Sequence, residues 1–219
     1  MNIIDTINMR YTLDLVFIIC INDTDFIAVF YPDEYSLMGL EKRKQFSIHS
    51  EDYDVAIYDI RKYFDLLLAE DPDALATLFL EDIILTTNGG LKLRELRGDF
   101  LSKKCYFSYS GHATLLIHKF QESQFKGDYL KHAAHLIQLL DRGRNLLLNA
   151  IMGVERLSLY KEIYNGKFTK LELQKMIDAG MKGLNAAFKV TKLPDTINRE
   201  YLRKQLFDIL SKHFVLIFA

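Results

Sequence analysis

Asn22-Asp23-Thr24-Asp25-Phe26-Ile27-Ala28-Val29-Phe30 places two acidic side chains directly before an apolar, partly β-branched run. Upstream, Leu13 to Ile21 is equally apolar, so the spacing predicts two strands, or one bent strand, around the acidic step. Tyr31-Pro32-Asp33-Glu34 ends that element, and Glu41-Lys42-Arg43-Lys44-Gln45 reads as a charged connector. In Tyr53-Asp54-Val55-Ala56-Ile57-Tyr58, alternation sets Tyr53, Val55 and Ile57 on one face and Asp54, Ala56 and Tyr58 on the other. The period then changes. Ile60, Tyr63, Phe64, Leu67 and Leu68 recur at helical spacing, and Asp71-Pro72 stops that helix and starts another with Leu75, Leu78 and Phe79.

Asn88-Gly89-Gly90 reads as a turn and a domain boundary. Beyond it the pattern predicts helices over 91–97, 102–121, 129–149, 169–190 and 198–213, with Thr169 and Glu172 in capping-box spacing. The expected organisation is an α+β domain over 1–90, built on a small β-sheet, followed by a C-terminal helical domain over 91–219. A hydrophobic share of 49% and a charged share of 26% suit a globular core in a chain of 219 residues. With 28 Lys+Arg against 29 Asp+Glu the net charge is -1, so any binding to polyanions has to be local. Two cysteines, Cys20 and Cys105, suit thiols in a reducing compartment. The start Met1-Asn2-Ile3-Ile4-Asp5 does not have the pattern of a signal peptide, and the expected location is cytoplasmic with no membrane partner.

Asp23 and Asp25 stand two apart, which on an extended strand puts both carboxylates on one side. Such like charges repel unless a cation lies between them, and Mg²⁺ (or Mn²⁺) is the hard ion that carboxylates and phosphates share. A third carboxylate from a neighbouring strand completes a two-metal site. Asp54 is the candidate; Asp52 has the same parity and remains open. The competing explanation is that Asn-Asp-Thr-Asp is a turn whose side chains cap local backbone groups.

The acidic segment with its hydrophobic strand resembles the signature of nucleotidyltransferases of the DNA polymerase beta superfamily. Tyr35-Ser36-Leu37-Met38-Gly39-Leu40 is similar to the segment after the family's strand, and Asp54 to Phe64 is similar to its third-carboxylate strand and following helix. Asp71-Pro72-Asp73-Ala74-Leu75, Phe100-Leu101-Ser102-Lys103-Lys104, Ser110-Gly111-His112-Ala113 and Lys131-His132-Ala133-Ala134-His135-Leu136-Ile137 resemble later landmarks, so the likeness spans residues 21 to 168. The resemblance implies a small mixed β-sheet nucleotidyltransferase core. It implies transfer of a nucleotidyl group from a nucleoside triphosphate to an RNA end or a protein hydroxyl, with Asp23, Asp25 and Asp54 catalytic and metal-binding. One departure stands out. The family's Gly-Ser turn, which grips the triphosphate, precedes the paired Asp, whereas no glycine precedes Gly39 here. The alternative function is a catalytically degenerate relative that acts as a binding or scaffolding module.

Lys131, His135, Gln138, Arg142 and Asn145 follow at steps of 4, 3, 4 and 3 and form one polar stripe, with Leu130, Ala133, Ala134, Ile137 and Leu140 on the apolar side. Lys131, His135 and Arg142 are the candidate phosphate-binding residues; the bland reading is a solvated helix face. The 12 Tyr and 15 Phe follow the apolar faces and are expected in the core. No zinc-ligand spacing, nucleophile elbow or P-loop is present.

Overall fold

The computed structural model of the protein describes residues 3–11, 13–21, 25–40, 42, 44–50, 53–123, 125–152 and 157–218. They divide into two compact units: residues 1–69, 73–100 and 198–219 form the first, and residues 70–72 and 101–197 the second. Residues 91–100 and 198–219 thus pack with the sheet, whereas the sequence pattern places a single boundary at residue 90. Among the described residues no helix is long and apolar enough to cross a membrane.

The first unit is α+β, as expected. Helix α1 (Ile3–Arg10) precedes strands β1 (Leu15–Cys20) and β2 (Asp25–Phe30), then α2 (Glu34–Leu37), β3 (Gln45–His49) and β4 (Asp54–Asp59). Next come α3 (Ile60–Leu68), α4 (Pro72–Phe79), β5 (Ile83–Thr86), α5 (Asn88–Glu95) and a 3-10 turn, Leu96–Phe100. The five strands form one sheet in the order β3-β4-β2-β1-β5. β2 and β4 run parallel and the other pairs antiparallel, so the sheet is mixed.

The alternation read from residues 53–58 holds. Val55 and Ile57 join Ile7, Leu15, Ile18, Ala28, Phe30 and Ile48 in one buried cluster, with Tyr53 packed against it. On the opposite face Phe17 meets the Tyr63 ring of α3 edge-on at 5.4 Å. β4 passes straight into α3 because Asp59 caps it, accepting from Arg61 N at 2.8 Å. The same carboxylate, fully buried, takes the Arg61 guanidinium through Nε at 3.1 and 3.2 Å, and Arg61 Nη1 donates to the Ser36 carbonyl.

Asn88-Gly89-Gly90 is the first turn of α5, not a hinge between domains. Thr87 Oγ1 accepts from Gly90 N at 3.4 Å, and both glycines sit against the sheet. A Cβ on Gly90 would lie 2.5 Å from Thr86 Oγ1 and 2.9 Å from the Val16 carbonyl, and one on Gly89 would strike Tyr31 Oη. These glycines serve close approach. The helix α10 (Arg199–Phe218) also belongs to this unit: Arg199 Nη2 donates to the Leu68 carbonyl at 2.9 Å, and His213 stacks on Tyr31 at 3.5 Å while paired with Asp14.

The second unit contains α6 (Cys105–Glu122), α7 (Lys126–Asn149), α8 (Leu157–Tyr164) and α9 (Lys170–Val190), with α7 packed against the other three. Thr169 and Glu172 form the reciprocal cap at the start of α9. At the start of α6, buried Glu70 takes Ser102 N at 3.1 Å, Ser102 Oγ at 2.7 Å and Cys105 Sγ at 2.9 Å, from a left-handed backbone with φ of 57°. Burial, with the Glu70 charge added, pushes the Cys105 thiol far up, so this cysteine is a packed hydrogen-bond donor.

The aromatic expectation needs correction. Phe107 is 61% exposed, and Tyr35, Phe125, Tyr164, Tyr201 and Phe207 are also exposed. Helical spacing gives the period of a face but not the number of neighbours that cover it.

Candidate functional site

Asp25 opens β2 and Asp54 opens β4. The two strands are parallel neighbours, and Asp25 is the register partner of Asp54. Residues paired in this way put their side chains on the same face of a sheet whose strands lie about 4.8 Å apart. Asp25 and Asp54 therefore lie on neighbouring strands with their side chains on one face of the sheet. Their face is opposite to the Val55 and Ile57 cluster, and Asp54 is 59% exposed while Asp25 is half-buried. On the far face at the same strand ends, Phe26 meets Tyr53 edge-on at 6.2 Å and Tyr53 Oη donates to Thr6 Oγ1 at 2.8 Å, which anchors both strand starts.

A third side chain shares this row. His49 ends β3, is the antiparallel register partner of Asp54, and donates from Nδ1 to Asp54 Oδ1 at 2.9 Å. Its ring is 74% exposed. Sequence reasoning missed His49, because its pairing with Asp54 exists only in the register between the two strands.

Asp23 and Asp52 lie outside the described residues. Among the described residues no three His, Cys, Asp or Glu side chains gather closely enough to hold a metal. The donor chemistry of Asp25 and Asp54, hard oxygens on one face, nonetheless fits Mg²⁺ or Mn²⁺. A soft ion would ask for thiolate, and Cys105 is sequestered in the second unit.

Lys131, His135 and Arg142 lie on α7 in the second unit. Lys131 is exposed, and His135 is half-buried with its ring 6.1 Å from that of His112 on α6. The apolar side is as expected, with Leu130, Ala133, Ala134, Ile137 and Leu140 all buried. Arg142 departs from the solvated stripe: it is 6% exposed. A helix enclosed by α6, α8 and α9 has less of its circumference in water than an amphipathic surface helix.

Comparison with known proteins gives the family. No curated protein matches the chain. Among solved structures, a nucleotidyltransferase-like protein from Exiguobacterium sibiricum 255-15 is similar at 15% identity and a TM-score of 0.33, over 84% of this chain and 73% of that one. The family model described as RlaP, RNA repair pathway DNA polymerase beta family, matches residues 21–213, from the acidic step into α10. With nearly the whole chain matched, the protein belongs to the RNA repair pathway DNA polymerase beta family.

Proposed function

We propose that the protein is a Mg²⁺-dependent nucleotidyltransferase that moves a nucleotidyl group from a nucleoside triphosphate to an RNA end, with Asp23, Asp25 and Asp54 as its catalytic carboxylates. The observation that carries the reading is the register pairing of Asp25 with Asp54 on parallel strands, which sets two acidic residues on one face at the starts of neighbouring strands. Such a pair is costly by itself and is relieved by a divalent cation. When bound, that cation neutralises phosphate charge and lowers the proton affinity of the attacking hydroxyl. Asp25 would hold the cation through its carboxylate. Asp54 would hold it from the neighbouring strand and accept the acceptor hydroxyl's proton at Oδ2, the oxygen not bonded by His49 Nδ1. His49 fixes the rotation of the Asp54 carboxylate. Lys131 and His135, on α7 of the second unit, are assigned to phosphates of RNA, whereas Arg142 on the same helix is buried.

A second reading, a non-catalytic binding module, draws on the missing Gly-Ser turn. Without it the triphosphate loses charge-assisted hydrogen bonds of about 1.5–3 kcal/mol each. Thermal unfolding with Mg²⁺ and a non-hydrolysable triphosphate separates the two. A catalytic centre gives a ligand-dependent rise in melting temperature, equivalent to about 2.7 kcal/mol at a hundred times the dissociation constant. Asp25→Asn and Asp54→Asn are each expected to abolish that rise. No rise at millimolar ligand, or the same rise in both variants, overturns the catalytic assignment.

A further inference from the structure

The second unit carries an aromatic surface that the core does not absorb. Tyr106 and Phe188 stack at 4.2 Å with their planes 18° apart, and Tyr106 Oη donates to Asn185 Oδ1 at 2.9 Å, which ties α6 to α9. Phe107 stands edge-on to both rings, at 5.2 and 5.6 Å, and remains 61% exposed. The ring thus stands largely in solvent at the start of α6.

Lysines flank these rings along the chain. Lys103 is paired with Asp195 at 2.7 Å, and Lys104, Lys189 and Lys192 add exposed positive side chains. Glu70, beneath the helix start, is 2% exposed and its carboxylate is taken up by Ser102 and Cys105. Along the 18 residues of α6 the first acidic residue is Glu122, at the far end. The exposed face that runs from Lys104 through Phe107, Gly111 and Thr114 to His118 therefore has no carboxylate of its own. At Gly111 a Cβ would meet nothing within 4 Å, so bare helix backbone is open to a close neighbour.

We infer that this face of α6, with Lys189 and Lys192, binds single-stranded RNA, with a base stacked on Phe107 and the lysines on flanking phosphates. Exposed aromatic faces beside lysines are how sequence-tolerant single-strand sites are built, since every base offers a π-face and every linkage a negative charge. In a chain with a net charge of -1 such an attraction has to come from a local patch. The inference rests on RNA as the acceptor in the proposed function. It adds a contact with the strand that the second unit makes by itself.

Fluorescence anisotropy with a labelled single-stranded RNA of about twelve nucleotides, within the usual size of such sites, tests it on the full chain. Phe107→Ala is expected to weaken binding about tenfold while Phe107→Tyr keeps it, as loss and retention of a stacking face require. Lys104→Gln combined with Lys189→Gln is expected to reduce the slope of log affinity against log salt by about 1.4, at about 0.7 for each phosphate contact on a single strand. Unchanged melting temperatures establish that these surface variants fold. Phe107→Ala is expected to keep the rise in melting temperature with Mg²⁺ and triphosphate, and a wild-type protein that binds RNA without that rise marks failure of the catalytic reading alone, so the two failures are distinguishable. Wild-type affinity in both Phe107→Ala and the double lysine variant overturns the inference. So does a dimer, detected by light scattering, that Phe107→Ala dissociates, because a second copy would then be the occupant.

Discussion

At Asp54 a single hydrogen bond decides how a carboxylate faces the ion it is proposed to hold. His49→Ala removes the donor to Oδ1, and His49→Asn retains an N–H at the same reach as Nδ1. The expected result by calorimetry is Mn²⁺ binding weakened about tenfold in His49→Ala, the usual cost of losing a partner behind a metal ligand, and largely restored in His49→Asn. Equal affinity in all three proteins removes His49 from the site. Asp33 supports a pH prediction. The Lys44 ammonium, donating to Oδ2 at 2.9 Å, and the Ser36 backbone N–H together hold its carboxyl at about 2, below its ordinary 3.8. A depressed carboxyl contributes stability above its ordinary value and loses it as pH falls through the folded one. The NMR titration midpoint of Asp33 is expected near 2 and to move up toward 3.8 in Lys44→Gln. Asp25 and Asp54 are both legible as acids on extended chain, because parity along a strand is a local property. That they are partners, and that His49 joins them, depends on pairings with residues about five to thirty positions away, which no local pattern encodes.

Among the elements, those with a long or sharp period are legible: β2, β4, α3, α6, α7, α9 and α10 lie close to their expected places. β3 escapes sequence reading because it is an edge strand in which only Ile48 is buried, so its sequence has the polarity of a connector. β5 has four residues, too few for alternation to register. α5 reads as a boundary because Asn-Gly-Gly is a turn signal and, after Thr87, equally a capped helix start, and only the nearness of Tyr31 and Val16 decides between them. Two predictions belong at this scale. Asp59→Ala takes the cap from α3 and leaves Arg61, with its side chain 14% exposed, without its carboxylate partner; a loss of about 3–5 kcal/mol is expected in urea unfolding. Gly143 lies where α7 meets α6 and α9, and a Cβ there would be 2.6 Å from the Tyr109 ring and 3.0 Å from Leu184. Gly143→Ala is expected to destabilise by about 1–3 kcal/mol, while Gly127→Ala on the same helix, where the space is open, costs nothing. Equal stability in the two variants would show that the three helices can separate without penalty.

For the whole molecule, the α+β class follows from a change of period that is plain in the sequence, from two in the first part of the chain to about 3.6 after it. The partition into units does not, since it depends on which helix returns to the sheet. α10 does so through Arg199, His213 and the space beside Gly89, where a Cβ would come within 3.1 Å of Ile209 Cγ2. The unit that holds Asp25 and Asp54 is thus interrupted by the whole of residues 101–197. On a ribosome, at about 5–20 residues per second, the helices of the second unit emerge while the sheet waits on the order of ten seconds for its last covering segment. A nascent chain stalled at residue 219, with α10 still inside the ribosomal exit tunnel, is expected to display a protease-resistant fragment from residues 101–197 and a digestible earlier one. The part of the protein made first is the part finished last.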